Sequence, residues 1–229
     1  MKSLVFDTGP IITLTMNNLL WLLEPLKRMS KANFYITDLV KEELVDNPLS
    51  KTKRFKFEAL QVLQHIENGT LEVVSNRNIK GQTSRLISAA NSCFKAFGHT
   101  INLVHDAEMS AISLYLKKNA NAFVVDEKTT RLLIENPKKL HHILRHNLHT
   151  NVEINRNSMK EFHKMTKSVR MIRSVELVTI AYEKGLLDRY VPKKTSSRRE
   201  LLESVLWGVK LNGSAVTRKE IEQIIKMET

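Results

Sequence analysis

The first half of the chain alternates short apolar runs with longer segments of helical pattern. The short runs are rich in β-branched and aromatic residues and predict buried strands at 3–6, 33–36, 71–75 and 123–125. The segments between them predict helices at 11–26, 37–46, 57–66, 84–97 and 106–118. Strands that alternate with helices indicate an α/β fold with a parallel central sheet flanked by helices.

The second half of the chain is mainly helical in pattern. Its predicted elements are a strand at 152–154, an amphipathic helix at 159–172, a loop at 190–197, and helices at 174–184, about 198–211 and about 218–227. Two capping boxes, Ser197-x-x-Glu200 and Thr217-x-x-Glu220, mark the starts of the last two helices. We expect a core at 1–155 and a helical C-terminal extension at 156–229 that packs on the same domain.

Composition narrows the class of protein. The 229 residues are 42% hydrophobic and 26% charged, which is typical of a globular chain and excludes wholesale disorder. A single cysteine, Cys93, excludes an internal disulfide and a multi-cysteine zinc site. Lys plus Arg total 36 against 24 Asp plus Glu, so the formal charge is +12, which favours a polyanionic partner.

The hydropathy pattern gives no sign of a membrane segment. No stretch reaches the roughly 18 consecutive apolar residues that a membrane helix needs. The apolar run at 4–6 meets Asp7 at once, which is too short for the apolar part of a signal peptide. We therefore expect a soluble, cytoplasmic protein that does not bind a membrane.

Two aspartates directly follow predicted strands. Asp7 ends the run at 4–6, and Asp126 ends the run at 123–125. Ligands of an open parallel sheet bind at the carboxyl ends of its strands, so both acids are candidates for a functional site. The alternative is that each aspartate only caps the helix that follows it.

Two further acids lie on predicted helices. Glu43 follows Leu39 and Val40 by four and three positions, so it shares a face with apolar residues, and a buried acid needs a cation or an ion pair. Asp106 and Glu108 open the helix at 106–118, where acids also favour the helix dipole. Because two positions correspond to about 200° of rotation, both carboxylates do not easily reach one point. We assign Asp106 to the site and expect Glu108 nearby or facing solvent.

Four converging carboxylates imply a metal. Several negative charges within a few ångströms repel strongly unless a divalent cation lies between them. Ligation by oxygen alone favours Mg²⁺ or Mn²⁺ over Zn²⁺. A metal held by carboxylates beside a basic surface is the arrangement that phosphodiester hydrolysis uses.

An ordered set of short motifs resembles the PIN domain family, in its longer prokaryotic or archaeal form. The motifs are Leu4-Val5-Phe6-Asp7-Thr8-Gly9-Pro10, Thr37-x-x-Val40-x-x-Glu43-Leu44, Asp106-Ala107-Glu108 and Val124-Val125-Asp126-Glu127. The resemblance implies a metal-dependent endoribonuclease that cleaves single-stranded RNA to leave a 5′-phosphate and a 3′-hydroxyl. It implies that Asp7, Glu43, Asp106 and Asp126 bind Mg²⁺ or Mn²⁺, with Thr8 supporting the first.

The resemblance has two departures and one further implication. His105 stands where the family usually has glycine before the third acid, and the segment 136–173 is longer than typical. The first departure concerns the fine geometry of the site, and the second concerns the substrate. The family resemblance is also compatible with a homodimer.

The basic residues are clustered, which fits a groove that follows a phosphate backbone. The candidate nucleic-acid contacts are Lys51, Lys53, Arg54 and Lys56, and the helical face of Lys160, Lys164 and Lys167. We rank the first cluster higher because its loop leaves the element that carries Glu43. An ordinary solvated surface is the alternative for each cluster.

Other functions remain open at this point. The two last helices, joined by 212–216, have the length of a helix-turn-helix and would give a nucleic-acid-binding module without turnover. Glu220, Glu222 and Glu228 make the second of them a poor surface for reading a groove. A toxin of a toxin–antitoxin pair is a third interpretation. His142, His146 and His149 share a helical face, for which we prefer a solvated surface over a zinc site.

Overall fold

The computed structural model describes residues 2–191 and 198–228. Its strands are β1 (Lys2–Phe6), β2 (Ala32–Thr37), β3 (Glu72–Val74), β4 (Phe94–Ala96), β5 (His99–Thr100), β6 (Ala122–Val124), β7 (Glu153–Ile154) and β8 (Met171–Ile172). The helices of the first half are α1 (Thr8–Met16), α2 (Leu23–Ser30), α3 (Asp38–Lys41), α4 (Asn47–Lys51), α5 (Lys56–Glu67), α6 (Lys80–Asn91) and α7 (Asp106–Lys118). Those of the second half are α8 (Lys128–Glu135), α9 (Pro137–Leu148), α10 (Arg156–Thr166), α11 (Ser174–Glu183), α12 (Arg198–Leu211) and α13 (Arg218–Glu228). No helix in these ranges is long and apolar enough to cross a membrane.

The main sheet has five strands in the order β3-β2-β1-β6-β8, and every neighbouring pair is parallel. Helices flank it, and side chains such as Phe6, Phe34 and Phe123 are buried. The predicted α/β fold is therefore confirmed. The chain leaves β1 toward β2 on one side of the sheet and reaches β6 on the other side, so a topological switch point lies between β1 and β6. Asp7 and Asp126 follow these two strands.

The fifth strand of the sheet comes from the second half of the chain. The helix predicted through Ile172 ends at Thr166, and β8 pairs with β6 in register, Phe123 opposite Met171. The apolar residues of 159–172 are spaced by three or four positions, which predicts a helix, but this local pattern carries no information about the free edge of β6 that pairs with β8. The predicted boundary between 155 and 156 stays a prediction, but the extension contributes the edge strand of the main sheet.

Two predicted helices are interrupted in the structure. The segment 11–26 divides into α1, a short 3₁₀ turn at Leu20–Leu22 and α2, and the chain turns at Asn18, whose φ is 58°. Asparagine adopts this left-handed conformation more readily than most residues, which explains the break. The segment 84–97 divides into α6 and the β4–β5 hairpin, which turns through Phe97 and Gly98 at φ values of 54° and 79°. Gly98 thus serves a hairpin turn and not a helix end.

The helix that carries Glu43 also differs from its prediction. Thr37 caps α3 as expected, accepting a hydrogen bond from the Val40 amide at 3.2 Å. A π-helical turn at Glu42–Asp46 then leads directly into α4. The chain therefore stays helical past the predicted helix end at 46, because Pro48 lies in the first turn of α4, where a missing N–H costs little.

The C-terminal helices agree with their predictions within a few residues. The capping box of α13 is confirmed, since the Thr217 amide donates to Glu220 Oε2 at 2.8 Å and the Glu220 amide donates to Thr217 Oγ1 at 3.2 Å. The predicted box at Ser197, and most of the loop at 190–197, lie outside the described residues. Arg173 is 9% exposed and donates to Glu220 Oε1 at 2.8 Å and Glu176 Oε1 at 3.0 Å, so it joins α11 to α13.

We expect Arg173→Met to lower the free energy of unfolding by about 2 kcal/mol, because hydrogen bonds of a buried guanidinium to two carboxylates are lost. Urea denaturation at pH 7 measures the change. Arg218→Met is the matched control, because Arg218 pairs with Glu222 on the same helix but is 78% exposed in its side chain, and it should cost less than about 1 kcal/mol. Equal losses in the two variants would contradict the assigned role of Arg173.

Candidate functional site

A cleft with a volume of about 540 Å³ opens at the carboxyl edge of the sheet, at the switch point between β1 and β6. The acidic residues that line it are Asp7, Glu43, Glu108, Asp126 and Glu127. The sequence reasoning placed Asp7, Glu43 and Asp126 in one site with Asp106. The structure brings the first three to this cleft and adds Glu108.

Asp7 is a deeply buried acid of the cleft, and one of its oxygens has no hydrogen-bond partner among the described residues. It is 3% exposed, and its backbone amide donates to the Val124 carbonyl at 2.9 Å, which fixes it against β6. Its Oδ1 atom is buried and accepts no hydrogen bond from any residue in the ranges 2–191 and 198–228. Burial, followed by the nearby charge of Glu108, raises the pKa of Asp7 to about 8. The backbone amide of Thr8 opposes this rise only in part.

Glu43 reaches the cleft by a route other than the predicted one. It is exposed, whereas the sequence pattern placed it on a buried face, so that expectation is wrong. The reason is the π-helical turn, whose hydrogen bonds span five residues, so the 3.6-residue period does not apply and Leu44 and Val45 are buried instead. Thr8 Oγ1 donates to Glu43 Oε2 at 2.8 Å. The Thr8 side chain therefore holds the second acid of the cleft, while its backbone amide acts on the first, Asp7.

The cleft contains Glu108, which was expected nearby or facing solvent, and not Asp106, which was assigned to the site. Asp106 is exposed and does not line the cleft, whereas Glu108 is 9% exposed and does. Glu108 Oε1 accepts from Thr130 Oγ1 at 2.8 Å, and Oε2 accepts from the His105 amide at 3.1 Å. Burial raises the pKa of Glu108. The sequence does indicate this position of Glu108, because an acid three positions after a helix N-cap residue turns back toward that residue.

Asp126 lies at the same edge in a different environment. It is 2% exposed and accepts four hydrogen bonds. The donors to Oδ1 are the Ser174 amide at 2.9 Å and Ser214 Oγ at 3.0 Å. Those to Oδ2 are Thr13 Oγ1 at 2.8 Å and Ser174 Oγ at 2.7 Å. The carboxylate thus joins α1, the start of α11 and the α12–α13 loop. Sequence reasoning missed Thr13, Ser174 and Ser214, because isolated hydroxyl residues near helix ends carry no distinctive pattern.

The α12–α13 loop forms part of the cleft wall. Asn212 and Gly213 line the cleft, next to the Ser214 that binds Asp126. Gly213 has a φ of 135°, and a Cβ atom there would lie 2.9 Å from Thr13 Oγ1. A side chain at this position would therefore displace a donor of Asp126. The C-terminal extension completes the site and does not lie apart from it.

The predicted nucleic-acid contacts differ in where they lie. Lys51 ends α4, and Lys53, Arg54 and Lys56 follow it as exposed residues on the Glu43 side of the cleft. The residues of the second cluster, Lys160 and Lys164 on α10 and Lys167 directly after it, are exposed, and none of the three lines the cleft. The Ser168 carbonyl, next to Lys167, accepts from the hydroxyl of Tyr115 at 2.9 Å. Tyr115 lies about two helical turns along α7 from Glu108, which places Lys167 toward the opposite edge of the sheet.

A basic groove that sequence reasoning missed runs between α8–α9 and α12–α13, with a volume of about 400 Å³. Its cations include Lys128, Arg131, Lys139, Lys210 and Arg218. Within the described part of the chain, Lys128, Lys139 and Lys210 form no ion pair. The groove adjoins the cleft, because Glu127 and Thr129 line the cleft while Lys128 lines the groove. Its cations come from two segments that are far apart in sequence, so no local cluster of basic residues predicts the groove.

The cleft fits a divalent cation in the kind of ligand that it offers. A buried carboxylate oxygen without a partner, on Asp7, lies among further carboxylates, and hard cations such as Mg²⁺ and Mn²⁺ take oxygen ligands of this kind. Across residues 2–191 and 198–228, however, no group of three or more acidic, histidine or cysteine side chains is arranged to hold a metal ion. The cleft therefore contains the right type of ligand atom, but these atoms are not arranged around one point as in a formed metal site.

Comparison with known proteins identifies the class to which this fold and cleft belong. The model of the PIN domain family DUF3368 matches residues 3–138, which is more than half of the chain. The chain therefore belongs to the PIN domain family, as its four motifs indicated. PIN domains are typically nucleases and are often metal-dependent. Comparison with curated proteins and with solved structures finds no match.

The raised pKa of Asp7 makes the stability of the metal-free protein depend on pH. The pKa rises from 3.8 to about 8 on folding, so between these values the native state holds a proton that the unfolded chain has released. Stability is therefore lost as the pH rises through that range. Asp7→Asn should remove this cost and raise the free energy of unfolding by a few kcal/mol at pH 7, with a gain that grows from about pH 4 to about pH 8.

Urea denaturation in EDTA at several pH values measures this gain. Asp106→Asn is the control, because it removes a carboxylate from an exposed position that does not line the cleft. A gain for Asp7→Asn that is absent, or that does not change with pH, would contradict the environment assigned to Asp7.

Asp126→Asn should lower the free energy of unfolding, which is the opposite of the change expected for Asp7→Asn. The amide nitrogen of asparagine cannot accept the hydrogen bonds that one carboxylate oxygen now accepts, and buried donors would be left unpaired at a cost of about 2–4 kcal/mol. The same denaturation measurement tests it, and limited proteolysis should cut the α12–α13 loop faster in the variant. Asp7→Asn is the matched comparison, since the chemical change is the same. An Asp126→Asn protein as stable as the parent would show that the carboxylate does not anchor the extension.

Proposed function

We propose that the protein is a metal-dependent endoribonuclease that hydrolyses phosphodiester bonds of single-stranded RNA. The observation that carries the proposal is the buried, unpartnered oxygen of Asp7 beside Glu43 and Glu108 in one cleft. Such an arrangement is unfavourable for folding on its own and is relieved by a cation. Membership of the PIN domain family supports the same chemistry.

In this proposal the acids of the cleft have different roles. Asp7, Glu43 and Glu108 would hold Mg²⁺ or Mn²⁺. When bound, the metal would lower the pKa of an attacking water and stabilise charge on the phosphate oxygens. Thr8 orients Glu43, and Thr130 together with the His105 amide orients Glu108. The role of Asp126 as a metal ligand stays a prediction, and its four hydrogen bonds support an anchoring role instead.

The surface supports a polyanionic substrate. The formal charge of the chain is +12, although its cleft is acidic, so the cations lie elsewhere on the surface. Two basic regions flank the cleft: the segment from Lys51 to Lys56 beside Glu43, and the basic groove beside Glu127. Cations that flank an acidic cleft can hold the phosphates on either side of the cleaved bond. The choice of RNA over DNA rests on the family resemblance. A homodimer likewise stays a prediction.

We expect the protein to cleave labelled single-stranded RNA in Mn²⁺ and to lose this activity in EDTA. Asp7→Asn and Glu108→Gln should each lower the cleavage rate by about 100-fold or more, because each removes a negatively charged oxygen ligand. Asp106→Asn should change the rate by less than about threefold, since its carboxylate is exposed and does not line the cleft. Product ends should be a 5′-phosphate and a 3′-hydroxyl.

The Asp106 and Glu108 variants distinguish the predicted metal set from the one now proposed. Loss of activity in Asp106→Asn with retention in Glu108→Gln would restore the set that the sequence suggested. Cleavage that survives both Asp7→Asn and EDTA would exclude a metal site in this cleft. Binding of RNA without cleavage under all conditions would favour the non-catalytic binding module.

A further inference from the structure

An apolar recess with a volume of about 110 Å³ lies beside the cleft, between α1, α4 and α5. Its walls include Ile12, Met16, Pro48 and Phe55. We propose that this recess binds a nucleobase of single-stranded RNA next to the cleaved bond, with Phe55 as the ring on which the base stacks. The inference rests on the proposed function, because it names a subsite for the same substrate.

The recess and the cleft are continuous. Ile12 and Glu43 line both, so the acidic chemistry and the apolar surface share a wall. A nucleotide has the same division, with a charged phosphate at one end and a flat, largely apolar base at the other. A strand whose phosphate lies at the carboxylates can therefore place an adjacent base against Phe55.

Phe55 has a conformation and an exposure that folding alone does not explain. The residue is 49% exposed, and its φ of 61° is in the left-handed region that bulky residues rarely adopt. It occupies the N-cap position of α5 but provides no side-chain hydrogen bond to the helix. Glycine, asparagine or aspartate adopts this left-handed backbone at a lower cost, so an aromatic residue costs stability at this position.

The recess itself contains Glu43 and Glu58, but the exposed segment around Phe55 is basic, which favours a polyanionic partner. Lys51, Lys53, Arg54 and Lys56 are exposed in the same short segment, and the guanidinium of Arg54 lies 5.5 Å from the centre of the Phe55 ring. Phe57, which is 69% exposed, adds a second ring to the segment. Aromatic rings between cations are the combination with which proteins bind single strands. A second copy of this chain would bring like charges together, which disfavours self-association through this surface.

Phe97 provides a natural comparison. It is 72% exposed and has a φ of 54°, so its exposure and backbone resemble those of Phe55. Its conformation is explained by the β4–β5 hairpin turn, and it lines neither the cleft nor the recess. An exposed phenylalanine is therefore not by itself a subsite, and the position beside Glu43 distinguishes Phe55.

The test measures the affinity for a labelled single-stranded RNA in EDTA by fluorescence anisotropy, so that neither metal nor cleavage enters. Phe55→Asn keeps a residue that tolerates the left-handed backbone but removes the ring. It should weaken binding by about 5- to 150-fold, the range expected for one stacked base, and leave the salt dependence unchanged. Phe55→Trp should retain the affinity, and Phe97→Asn should not change it. A duplex of the same sequence should bind the Phe55→Asn and parent proteins equally.

Several outcomes would overturn the inference. Equal affinities of Phe55→Asn and the parent for single-stranded RNA would do so, as would equal losses in Phe55→Asn and Phe97→Asn. An unchanged RNA affinity, with a dimer that dissociates on Phe55→Asn in sedimentation, would assign the recess to self-association. Because binding is measured without metal, RNA held through Phe55 but never cut would leave the subsite intact and contradict only the proposed hydrolysis.

Discussion

Buried negative charge at the switch point of the sheet is the constraint on which this structure depends. The Asp7 carboxylate is almost inaccessible to water, one of its oxygens accepts no hydrogen bond, and Glu108 lies near enough to raise its pKa further. Such a group opposes folding in its ionised form, and an aliphatic residue at the end of β1 would avoid the cost. A protein that retains it needs the charge for some purpose other than stability. The cleft, and not the larger surface features, is therefore the centre of the proposed function.

The contrast between Asp7 and Asp126 shows how local donors decide the role of a carboxylate. The two residues end neighbouring strands of one sheet edge and are equally buried. Asp126 is supplied with four donors from three segments, whereas a buried oxygen of Asp7 has none. Burial alone therefore does not identify a ligand for a metal, and the hydrogen-bond inventory of each oxygen is the better guide. The same inventory explains why the C-terminal extension is tied to the sheet at this point.

The sequence predicted the sheet and its two aspartates well, because strand ends are marked by short apolar runs followed by an acid. The sequence-based prediction was wrong where the helical period departs from 3.6 residues per turn. Glu43 lies in a π-helical turn, so a helical wheel assigned it to the wrong face. Rotation about the helix favours Asp106 over Glu108, but the hydrogen bond from the N-cap amide of His105 turns Glu108 back toward the cleft. Partners distant in sequence, such as Ser174 and Ser214 on Asp126 or β8 beside β6, leave no local signal and were missed.

The positions of the Asp126 donors along the chain also determine when, during synthesis, the hydrogen bonds of this carboxylate can form. Thr13 is made early, but Ser174 and Ser214 follow it by 161 and 201 positions along the chain. During synthesis, the carboxylate at the end of β6 cannot be fully bonded, and the wall formed by Asn212 and Gly213 cannot close the cleft, until residue 214 has emerged. A basic chain that is proposed to cut RNA is made on an RNA template. Its cleft is completed only when translation of the described residues is almost finished.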